Sequence, residues 1–325
     1  MADHADEGGN DDVFVYMGGL IPQHLRETIT HVRIHKSVKI ITQGAFFKCR
    51  NLVSIEMHDD VEIIENSAFY YCLSLRGIKL PGVRVIEESA FWHCEALADV
   101  DFGDKLETIG NSAFSGTALR SIKLPKVRVI GKYAFMGCDQ LTEVESSEDL
   151  DTITIEGAAF GNCRRLRRIA MPLKDTLLDE GVFDECGDLS QVDLVGGIHK
   201  TISSLLLEHW RNEMNNEIDR INQVLPNVNC YQKTNPIRNW MERVLDSIEH
   251  YKIEHYALLK KFTTLLELAL WKAKIDESQD ERSLGSGHQP AKKAKIDTKT
   301  ARQEQRITSG ANIVIKNVLP FLKLE

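Results

Sequence analysis

The stretch ENSAFYYCLSLRGIKLP, from Glu65 to Pro81, decides the fold because close variants of it recur along the chain. It contains the pair Ala-Phe, a cysteine three residues after the phenylalanine, and an alternating apolar run that ends at a proline. The pair recurs at intervals of 21 to 25 residues, as Val-Phe in the last copy, at Phe46, Phe69, Phe91, Phe114, Phe135, Phe160 and Phe183. Seven copies in register predict a repeat protein.

Other positions of the unit keep the same register. The position three residues after each phenylalanine holds Cys49, Cys72, Cys94, Thr117, Cys138, Cys163 and Cys186. A unit of this length cannot bury its own apolar face, whereas stacked units share one continuous core. The alternating run predicts one short strand, and VRVI at 83–86 and 127–130 predicts a second. A helical or 3₁₀ turn is predicted around the Ala-Phe pair, and the fourth unit is one residue short between Phe114 and Leu119.

The unit resembles the BspA-type leucine-rich repeat, which reads approximately I-x-x-x-A-F-x-x-C-x-x-L-x-x-I-x-L-P. The resemblance covers roughly residues 30–195 and implies an elongated, β-rich solenoid used for macromolecular binding. Such repeats are best known in surface proteins of bacteria and unicellular eukaryotes. The predicted fold class is therefore α+β: a leucine-rich-repeat β-solenoid of about seven coils, followed by a long antiparallel helical hairpin.

Composition and charge exclude several classes of protein. The chain of 325 residues has a formal net charge of -8 and a pI of about 5.8, which argues against a general nucleic-acid-binding surface. No run approaches the length of an apolar membrane span, and the acidic N-terminus lacks the apolar segment of a secretory signal. We therefore expect an intracellular protein, nuclear or cytoplasmic, with no membrane partner and with reduced cysteines.

The cysteines raise the question of a reactive thiol, most sharply in FWHC at 91–94, where His93 precedes Cys94. Because Cys94 is one of six cysteines at the same repeat position, the favoured interpretation is a small side chain that fills the core of each coil. The sequence contains no C-x-x-C pair, P-loop, G-x-G-x-x-G, H-E-x-x-H or G-x-S-x-G. It therefore predicts no catalytic residue, no cofactor and no metal ion, and so no enzyme.

Exposed strand positions alternate in charge along the repeats. One series reads Glu56, Lys79, Asp101, Lys123, Glu145, and the other reads Lys39, Glu62, Arg84, Glu107, Arg128. Neighbouring strands lie about 4.8 Å apart, so these charges form either solvated ladders that stabilise the register or a stripe that recognises a partner. The run RRLRR at 164–168 is either a solvated turn or a site for an acidic partner. The candidate partner-binding residues are Lys79, Asp101, Lys123, Arg164, Arg165, Arg167 and Arg168.

Beyond Leu194 the apolar period changes to that of an α-helix. The first predicted helix has its apolar face at Ile202, Leu206, Trp210, Met214, Ile218, Ile221 and Leu225. The second begins at Asn235 and Pro236, and its seam is Ile237, Met241, Val244, Ile248, Tyr251, His255, Leu258, Phe262, Leu265 and Ala269. This pattern predicts a hairpin or coiled coil over 196–275, which either caps the solenoid or pairs with another chain. Its length favours a protruding, self-associating arm.

The remaining segments complete the predicted organisation. Residues 1–12 form a disordered acidic N-terminus, 13–195 the solenoid with its N-terminal cap, 276–300 a disordered linker, and 301–325 a short apolar element. The linker contains PAKKAKID at 290–297, whose lysines resemble a monopartite nuclear-import signal recognised by an import receptor; the alternative is a solvating charge run. The candidate signal residues are Lys292, Lys293 and Lys295.

The function that fits these features is a non-enzymatic protein–protein interaction scaffold. The solenoid presents an extended surface to protein partners whose identity the sequence does not reveal. One alternative is a nucleic-acid-associated nuclear regulator that uses the two basic runs, and another is a surface adhesin-like repeat protein. Steep salt dependence of nucleic-acid binding would distinguish the first, and detection outside the cell would distinguish the second.

Overall fold

The computed structural model of the protein describes residues 13–124, 126–146, 153–172, 177–195 and 208–284. Each repeat forms one coil, which contributes a strand to each of two series of parallel strands. The first series is β1 (Val13–Tyr16), β2 (His31–Ile34), β4 (Ser54–Glu56), β6 (Gly77–Lys79), β8 (Asp99–Asp101), β10 (Ser121–Leu124), β12 (Glu143–Ser146), β14 (Arg168–Met171) and β16 (Gln191–Leu194). The second is β3 (Ile40–Ile41), β5 (Ile63–Ile64), β7 (Val85–Ile86), β9 (Thr108–Ile109), β11 (Val129–Ile130), β13 (Thr154–Ile155) and β15 (Leu177–Leu178). Both predicted strands of the unit therefore form.

The strands stack in the register that the repeat predicts. In the second series, β3 to β15 form one continuous sheet, in which Ile63 pairs with Ile40 on one side and Val85 on the other. The first series is divided into three sheets, β1-β2-β4, β6-β8 and β10-β12-β14-β16. The second division lies where the shortened turn between Phe114 and Leu119 leads into β10, so the missing residue and the interrupted ladder coincide.

A column of phenylalanine rings forms the centre of the solenoid. All seven repeat phenylalanines are fully buried, and neighbouring rings stack nearly parallel with centroids 4.9 to 5.9 Å apart. Tyr16 of β1 continues the column at the N-terminal end, where its ring lies 4.8 Å from that of Phe46. The prediction of seven stacked coils with a shared core is confirmed.

The segment around each Ala-Phe pair differs from the prediction of a helical or 3₁₀ turn. It is a pair of tight turns, each with a residue in the left-handed region, for example Ser67 (φ 54°) and Tyr71 (φ 60°). Left-handed residues interrupt a right-handed helix. Their N–H groups donate to the next coil instead, from Ser67 to the carbonyl of Glu88 and from Tyr71 to that of Trp92, both at 2.9 Å. Hydrogen bonds between coils thus alternate with turn bonds inside the coil, such as that from the N–H of Tyr70 to the carbonyl of Ser67 at 3.2 Å.

Two helices follow the solenoid: α1 (Glu208–Val224) and α2 (Thr234–Leu284), with 3₁₀ turns at Leu225–Asn227 and Cys230–Gln232 between them. α2 continues to Leu284, so it occupies the first part of the segment 276–300 that the sequence assigned to a disordered linker. The described residues divide into two compact units. The first contains the coils together with Met214–Leu245, and the second contains the described parts of 199–213 and 246–325.

Within the first unit, the helical residues cover the last coil by bonding to its exposed backbone. In earlier coils these backbone groups pair with the next coil, and here side chains and turns take the place of that coil. The N–H groups of Phe183, Glu185 and Val192 donate to Thr234 Oγ1 (2.9 Å), the carbonyl of Cys230 (2.9 Å) and Asn222 Oδ1 (2.8 Å). Capping, one of the two roles weighed for the predicted helices, is therefore what 214–245 do.

Two cations complete this cap on the carbonyl side. Lys233 is 1% exposed, and its Nζ donates to the carbonyls of Leu189 at 2.9 Å and Leu225 at 2.5 Å. Leu225 directly follows α1, so the ammonium also lies at the negative end of the helix dipole. The guanidinium of Arg238 donates to the carbonyl of Leu178, at the end of β15, at 2.7 and 3.1 Å.

The predicted seam of α2 changes character along the helix. Its first five residues, Ile237 to Tyr251, are buried, but from His255 onward the seam is half-buried or exposed, and Leu265 is 48% exposed. In the first unit, Trp240 Nε1 donates to the carbonyl of Glu217 at 3.0 Å. In the second unit, the Tyr251 hydroxyl bonds the carboxylate of Glu213. The antiparallel arrangement of the hairpin stays a prediction.

Candidate interaction surface

The repeated cysteines form a ladder inside the core. The thiols of Cys72, Cys94, Cys138, Cys163 and Cys186 each donate to the carbonyl of the phenylalanine in the preceding coil, at 3.1 to 3.3 Å. Thr117 keeps a donor in the series, because its hydroxyl bonds the carbonyl of Phe114 at 2.8 Å. Burial raises the pKa of Cys49 to about 11 and that of Cys186 to about 12. The thiols of Cys49 and Cys186 are therefore protonated near neutral pH and poorly nucleophilic.

The candidate residues on the first series of strands differ in their surroundings. Lys79 and Asp101 occupy paired positions on β6 and β8, and both side chains are exposed. Within the described ranges Lys79 forms no ion pair. Lys123, by contrast, lies 3.9 Å from Glu145, and on the earlier strands Arg33 lies 2.7 Å from Glu56. Among the described residues, the alternating ladder is thus paired at both ends of the series, whereas Lys79 and Asp101 between them form no ion pair.

The basic run 164–168 does not form one patch. Arg164 and Arg165 lie in a turn, where their guanidinium groups donate to Asn162 Oδ1 at 2.9 Å and Gln140 Oε1 at 2.8 Å. Arg167 is exposed. Arg168 belongs to β14, where Glu143 at 2.6 Å and Asp193 at 2.5 Å flank it, and both carboxylates raise its pKa. Because its charge is neutralised on both sides, Arg168 is a cross-strand bridge and contributes little to attracting an anion.

A shallow groove of about 780 Å³ runs over the turns before the second series of strands. Its walls mix both signs of charge, and Arg84 and Glu107 pair across it at 2.9 Å. Residues that line it include Asp59, Glu62, Asp104, Lys105, Lys126 and Arg128. Because opposite charges alternate along the groove, it lacks the single-sign field that would concentrate a highly charged ligand.

The most distinctive surface feature is a group of stacked aromatic rings, which the sequence did not predict. On the turns of the first three coils, Phe47, Tyr70 and Trp92 stack with ring centroids 5.0 and 4.6 Å apart. A second rank adjoins them, in which the rings of Tyr71 and His93 stack at 5.3 Å. All five rings are half-buried. We call these five residues the aromatic cluster.

The aromatic cluster ends at the fourth coil because that coil carries no aromatic side chain at these positions. Ser115 follows Trp92 in the series, and Gly116 follows His93, so close that a Cβ on Gly116 would lie 3.2 Å from the histidine ring. The sequence contains a pattern that indicates the cluster, because the residue after each repeat phenylalanine is Phe47, Tyr70, Trp92 and then Ser115. This pattern was not recognised because the aromatic residues do not recur in every unit.

Three further predictions concern metal sites, membrane-spanning helices and segments that lie outside the described residues. Across the described ranges, no group of three or more His, Cys, Asp or Glu side chains is placed to hold a metal ion. Among the helices described, none combines the length and apolar character needed to cross a bilayer. Lys292, Lys293 and Lys295, the acidic segment 1–12 and the apolar segment 301–325 lie outside the described residues.

Parallel strands stacked around an inner column of phenylalanines and leucines define the chain as a leucine-rich-repeat solenoid. The family described as "BspA type Leucine rich repeat region" matches it in six copies, over residues 25–129 and 118–215. Because these ranges cover more than half of the chain, the protein belongs to that family. Proteins of this fold generally serve as scaffolds for interactions or at surfaces. No curated protein matches the chain.

Several solved structures share the repeat. A leucine-rich repeat protein from Bacteroides ovatus is 22% identical, with a TM-score of 0.36 over 52% of this chain and 55% of that one. The T. pallidum leucine-rich repeat protein is 27% identical, with a TM-score of 0.34 over 49% of this chain and 64% of that one. The pneumococcal vaccine antigen PcpA is 18% identical, with a TM-score of 0.38 over 56% and 54%. This chain thus spans between 54% and 64% of these proteins.

Proposed function

We propose that the protein is a non-enzymatic scaffold that binds a protein partner through the aromatic cluster on its first three coils. The observation that carries this proposal is the cluster of five half-buried rings, three in one stack and two in an adjoining one, on a hydrogen-bonded solenoid. Aromatic side chains dominate binding hot spots, and rings already held in place lose little conformational entropy on binding. The burial of the repeat cysteines and the pairing of Arg168 favour binding over catalysis.

The test uses the full chain as bait, because the cap formed by 214–245 bonds the last coil directly. The double variant Tyr70→Ala with Trp92→Ala is compared with Tyr133→Ala, which removes an aromatic side chain that is 47% exposed on a later coil. We expect proteins retained from cell extract by the unmodified chain to be lost from the double variant and kept by the control. Equal retention by both variants, with folding verified by circular dichroism, would contradict the proposal.

Lys79 supports a secondary contact on the strand side of the solenoid. It is exposed, and within the described ranges no carboxylate pairs with it, whereas Lys123 is paired with Glu145. We expect Lys79→Ala to weaken binding of a captured partner about threefold to tenfold and Lys123→Ala to weaken it less, since a free charge is already available to a partner. A larger loss for Lys123→Ala would exclude Lys79 as the main charged contact.

Nuclear import is a separate proposal, supported by the sequence of residues 290–297. Its test replaces Lys292, Lys293 and Lys295 by alanine in a fluorescently tagged full chain, and the tagged unmodified chain serves as the control. We expect the nuclear fraction of the fluorescence to fall. An unchanged distribution would exclude an import role for these lysines.

A further inference from the structure

The turn of the fourth coil carries small side chains and lies between two turns that carry large ones. The residue after the repeat phenylalanine is Trp92 in the third coil, Ser115 in the fourth and Met136 in the fifth. The N–H of His93 donates to the carbonyl of Ser115 at 2.8 Å. The N–H of Gly116 donates to that of Met136 at 2.9 Å, so the three turns are in direct contact. Trp92 and Met136 therefore flank a gap, floored by Ser115, that we call the furrow.

One face of the Trp92 indole is turned toward the furrow. The other face stacks on Tyr70 of the second coil, with ring centroids 4.6 Å apart and an angle of 19° between the planes. Ser115 is too short to cover an indole, and Trp92 is only half-buried. In the adjoining rank the corresponding face is closed, because Gly116 lies so near His93 that a Cβ on this glycine would be 3.2 Å from the ring. The furrow is therefore bounded by an accessible aromatic face.

The furrow has the width of one planar group. Ring centroids on adjacent coils of the aromatic cluster lie 4.6 to 5.0 Å apart. The third and fifth coils are therefore separated by about 10 Å, or two strand spacings. A planar group that contacts both Trp92 and Met136 needs about 7 to 8 Å, because carbon atoms pack about 3.5 to 4.0 Å apart. Met136 is 39% exposed, and its flexible thioether can adapt to the remaining space.

Carboxylates on both walls determine the charge of the group that fits. Glu95 and Asp139 occupy equivalent positions, four residues after the phenylalanines of the third and fifth coils, and both are exposed. The ring of His93 connects the first wall, because its centroid is 4.0 Å from that of Trp92 and its Nδ1 is 3.4 Å from Glu95 Oε1. Across the described ranges, neither carboxylate pairs with a lysine or an arginine. Negative charge beside an aromatic face favours a cation.

Arginine is the side chain that combines the required shape and charge. Its guanidinium is planar, always positive, and carries five N–H donors in a fixed fork that matches carboxylates. It also stacks on aromatic faces, and together with tryptophan and tyrosine it is enriched in binding hot spots. A lysine ammonium is not planar, and an acidic side chain would meet two like charges.

We propose that the partner of the aromatic cluster inserts an arginine into the furrow. The guanidinium stacks on Trp92 and donates hydrogen bonds to Glu95 and Asp139, while Met136 packs against its other face. This inference rests on the proposed function, since the furrow shares Trp92 with the aromatic cluster and specifies the chemistry of the same partner.

The test uses short peptides selected from a random library displayed on phage, with the full chain as bait. We expect the selected peptides to share an arginine. In a synthetic copy of such a peptide, citrulline in place of this arginine keeps the planar shape and removes the charge. The dissociation constant, measured by fluorescence polarisation, should rise about tenfold with citrulline and by a smaller factor with lysine, which keeps the charge.

Variants of the chain then place the arginine in the furrow. Glu95→Gln should raise the dissociation constant about threefold to tenfold, because one carboxylate is lost. Glu62→Gln is the matched control, since Glu62 is an exposed glutamate of the groove beside the second series of strands and should leave binding unchanged. Ser115→Phe fills the furrow with a further ring and should weaken binding by about tenfold or more. Circular dichroism verifies that each variant keeps its fold.

The outcomes separate this inference from the proposed function. Peptides that lose affinity in the double variant Tyr70→Ala with Trp92→Ala, but bind as well with citrulline as with arginine, would overturn the inference and leave the proposed function standing. Equal effects of Glu95→Gln and Glu62→Gln, or full binding by Ser115→Phe, would also overturn the inference. Selected peptides that bind the double variant unchanged would contradict both.

Discussion

The coils and the second half of α2 differ in how far their large apolar side chains are exposed to solvent. Every repeat phenylalanine of the solenoid is fully buried, although each coil is only about 23 residues long. Among the side chains of α2 whose burial is described, up to Ile275, seven large apolar or aromatic residues are between 40% and 70% exposed: Ile253, Tyr256, Leu265, Leu268, Leu270, Trp271 and Ile275. The same kind of side chain is therefore covered by its own chain in one region and left to solvent in the other.

The difference arises because the apolar core of a repeat protein is covered by neighbouring repeats and, at its end, by a cap. A coil is covered by the coil before it and the coil after it, and at the C-terminal end 214–245 supply the last cover with Thr234, Asn222 and Lys233. α2 has no repeated neighbour, so only the side of the helix that meets other parts of the chain is covered. The opposite side stays exposed unless a second molecule covers it.

The largest expected effect is the loss of stability when a buried ring of the coils, rather than an exposed ring of α2, is removed. Phe114→Ala removes a ring that is fully buried between Phe91 and Phe135, and we expect the free energy of unfolding to fall by about 3–5 kcal/mol. Trp271→Ala removes a larger side chain that is 66% exposed, and at dilutions where the chain is monomeric it should change stability by less than about 0.5 kcal/mol. Urea unfolding followed by circular dichroism measures both. Similar losses would mean that Trp271 is covered within one chain.

The cap should show the next largest effect. Lys233→Met leaves the carbonyls of Leu189 and Leu225 without the ammonium that now bonds them, and we expect a loss of about 1–3 kcal/mol in the free energy of unfolding. Lys260→Met, at an exposed position of α2, is the matched control and should be nearly neutral. If Lys233→Met is equally neutral, the bonds of 214–245 to the last coil contribute little to its stability.

The cysteine ladder predicts a pH dependence that belongs to the coils. Burial raises the pKa of Cys49 from 9.0 to about 11, so the folded chain holds this proton where the unfolded chain releases it. Stability is therefore fully present below pH 9 and falls as the pH rises toward 11, by up to about 1.4 kcal/mol for each pKa unit separating the two states. Cys49→Ala should make the decline between pH 9 and 11 shallower than it is in the unmodified chain, as urea unfolding at each pH would measure. Equal slopes would exclude Cys49 as a source.

Much of the fold could be predicted from the sequence because burial repeats with the chain. Phe46 and its six counterparts mark one inward position per coil, and the alternating strand residues mark the rest, so coil number and register followed from spacing alone. The turn conformations did not follow. Ser67 and Tyr71 have left-handed backbone conformations, and their N–H groups bond the next coil. Neither serine nor tyrosine is a residue type that predicts a left-handed conformation.

The candidate sites were less predictable, because they depend on departures from the repeat. The aromatic cluster occupies three coils only, and Trp92 gains its neighbours through stacking that a single unit does not reveal. Arg168 looked like part of a basic run, but Glu143 and Asp193 lie on adjacent strands, 25 residues away in either direction. In α2, the seam was recognised from its period, whereas the exposed residues Ile253, Leu268, Trp271 and Ile275 follow no unbroken apolar pattern and therefore gave a weaker signal.

The smallest expected effect concerns ion pairs and tests whether burial alone separates the two regions. Arg84 pairs with Glu107 at 2.9 Å on the coils, and Lys252 pairs with Glu249 at 3.4 Å on α2, and both pairs are largely exposed. Exposed pairs of this kind contribute about 0.2–1 kcal/mol, because solvent and salt screen them and ordering the side chains costs entropy. We expect Arg84→Ala and Lys252→Ala to lower the free energy of unfolding by similar amounts, below about 0.5 kcal/mol, and by less at high salt. A loss above 1 kcal/mol for Arg84→Ala alone would show that the charge ladder, and not only the buried rings, stabilises the coils.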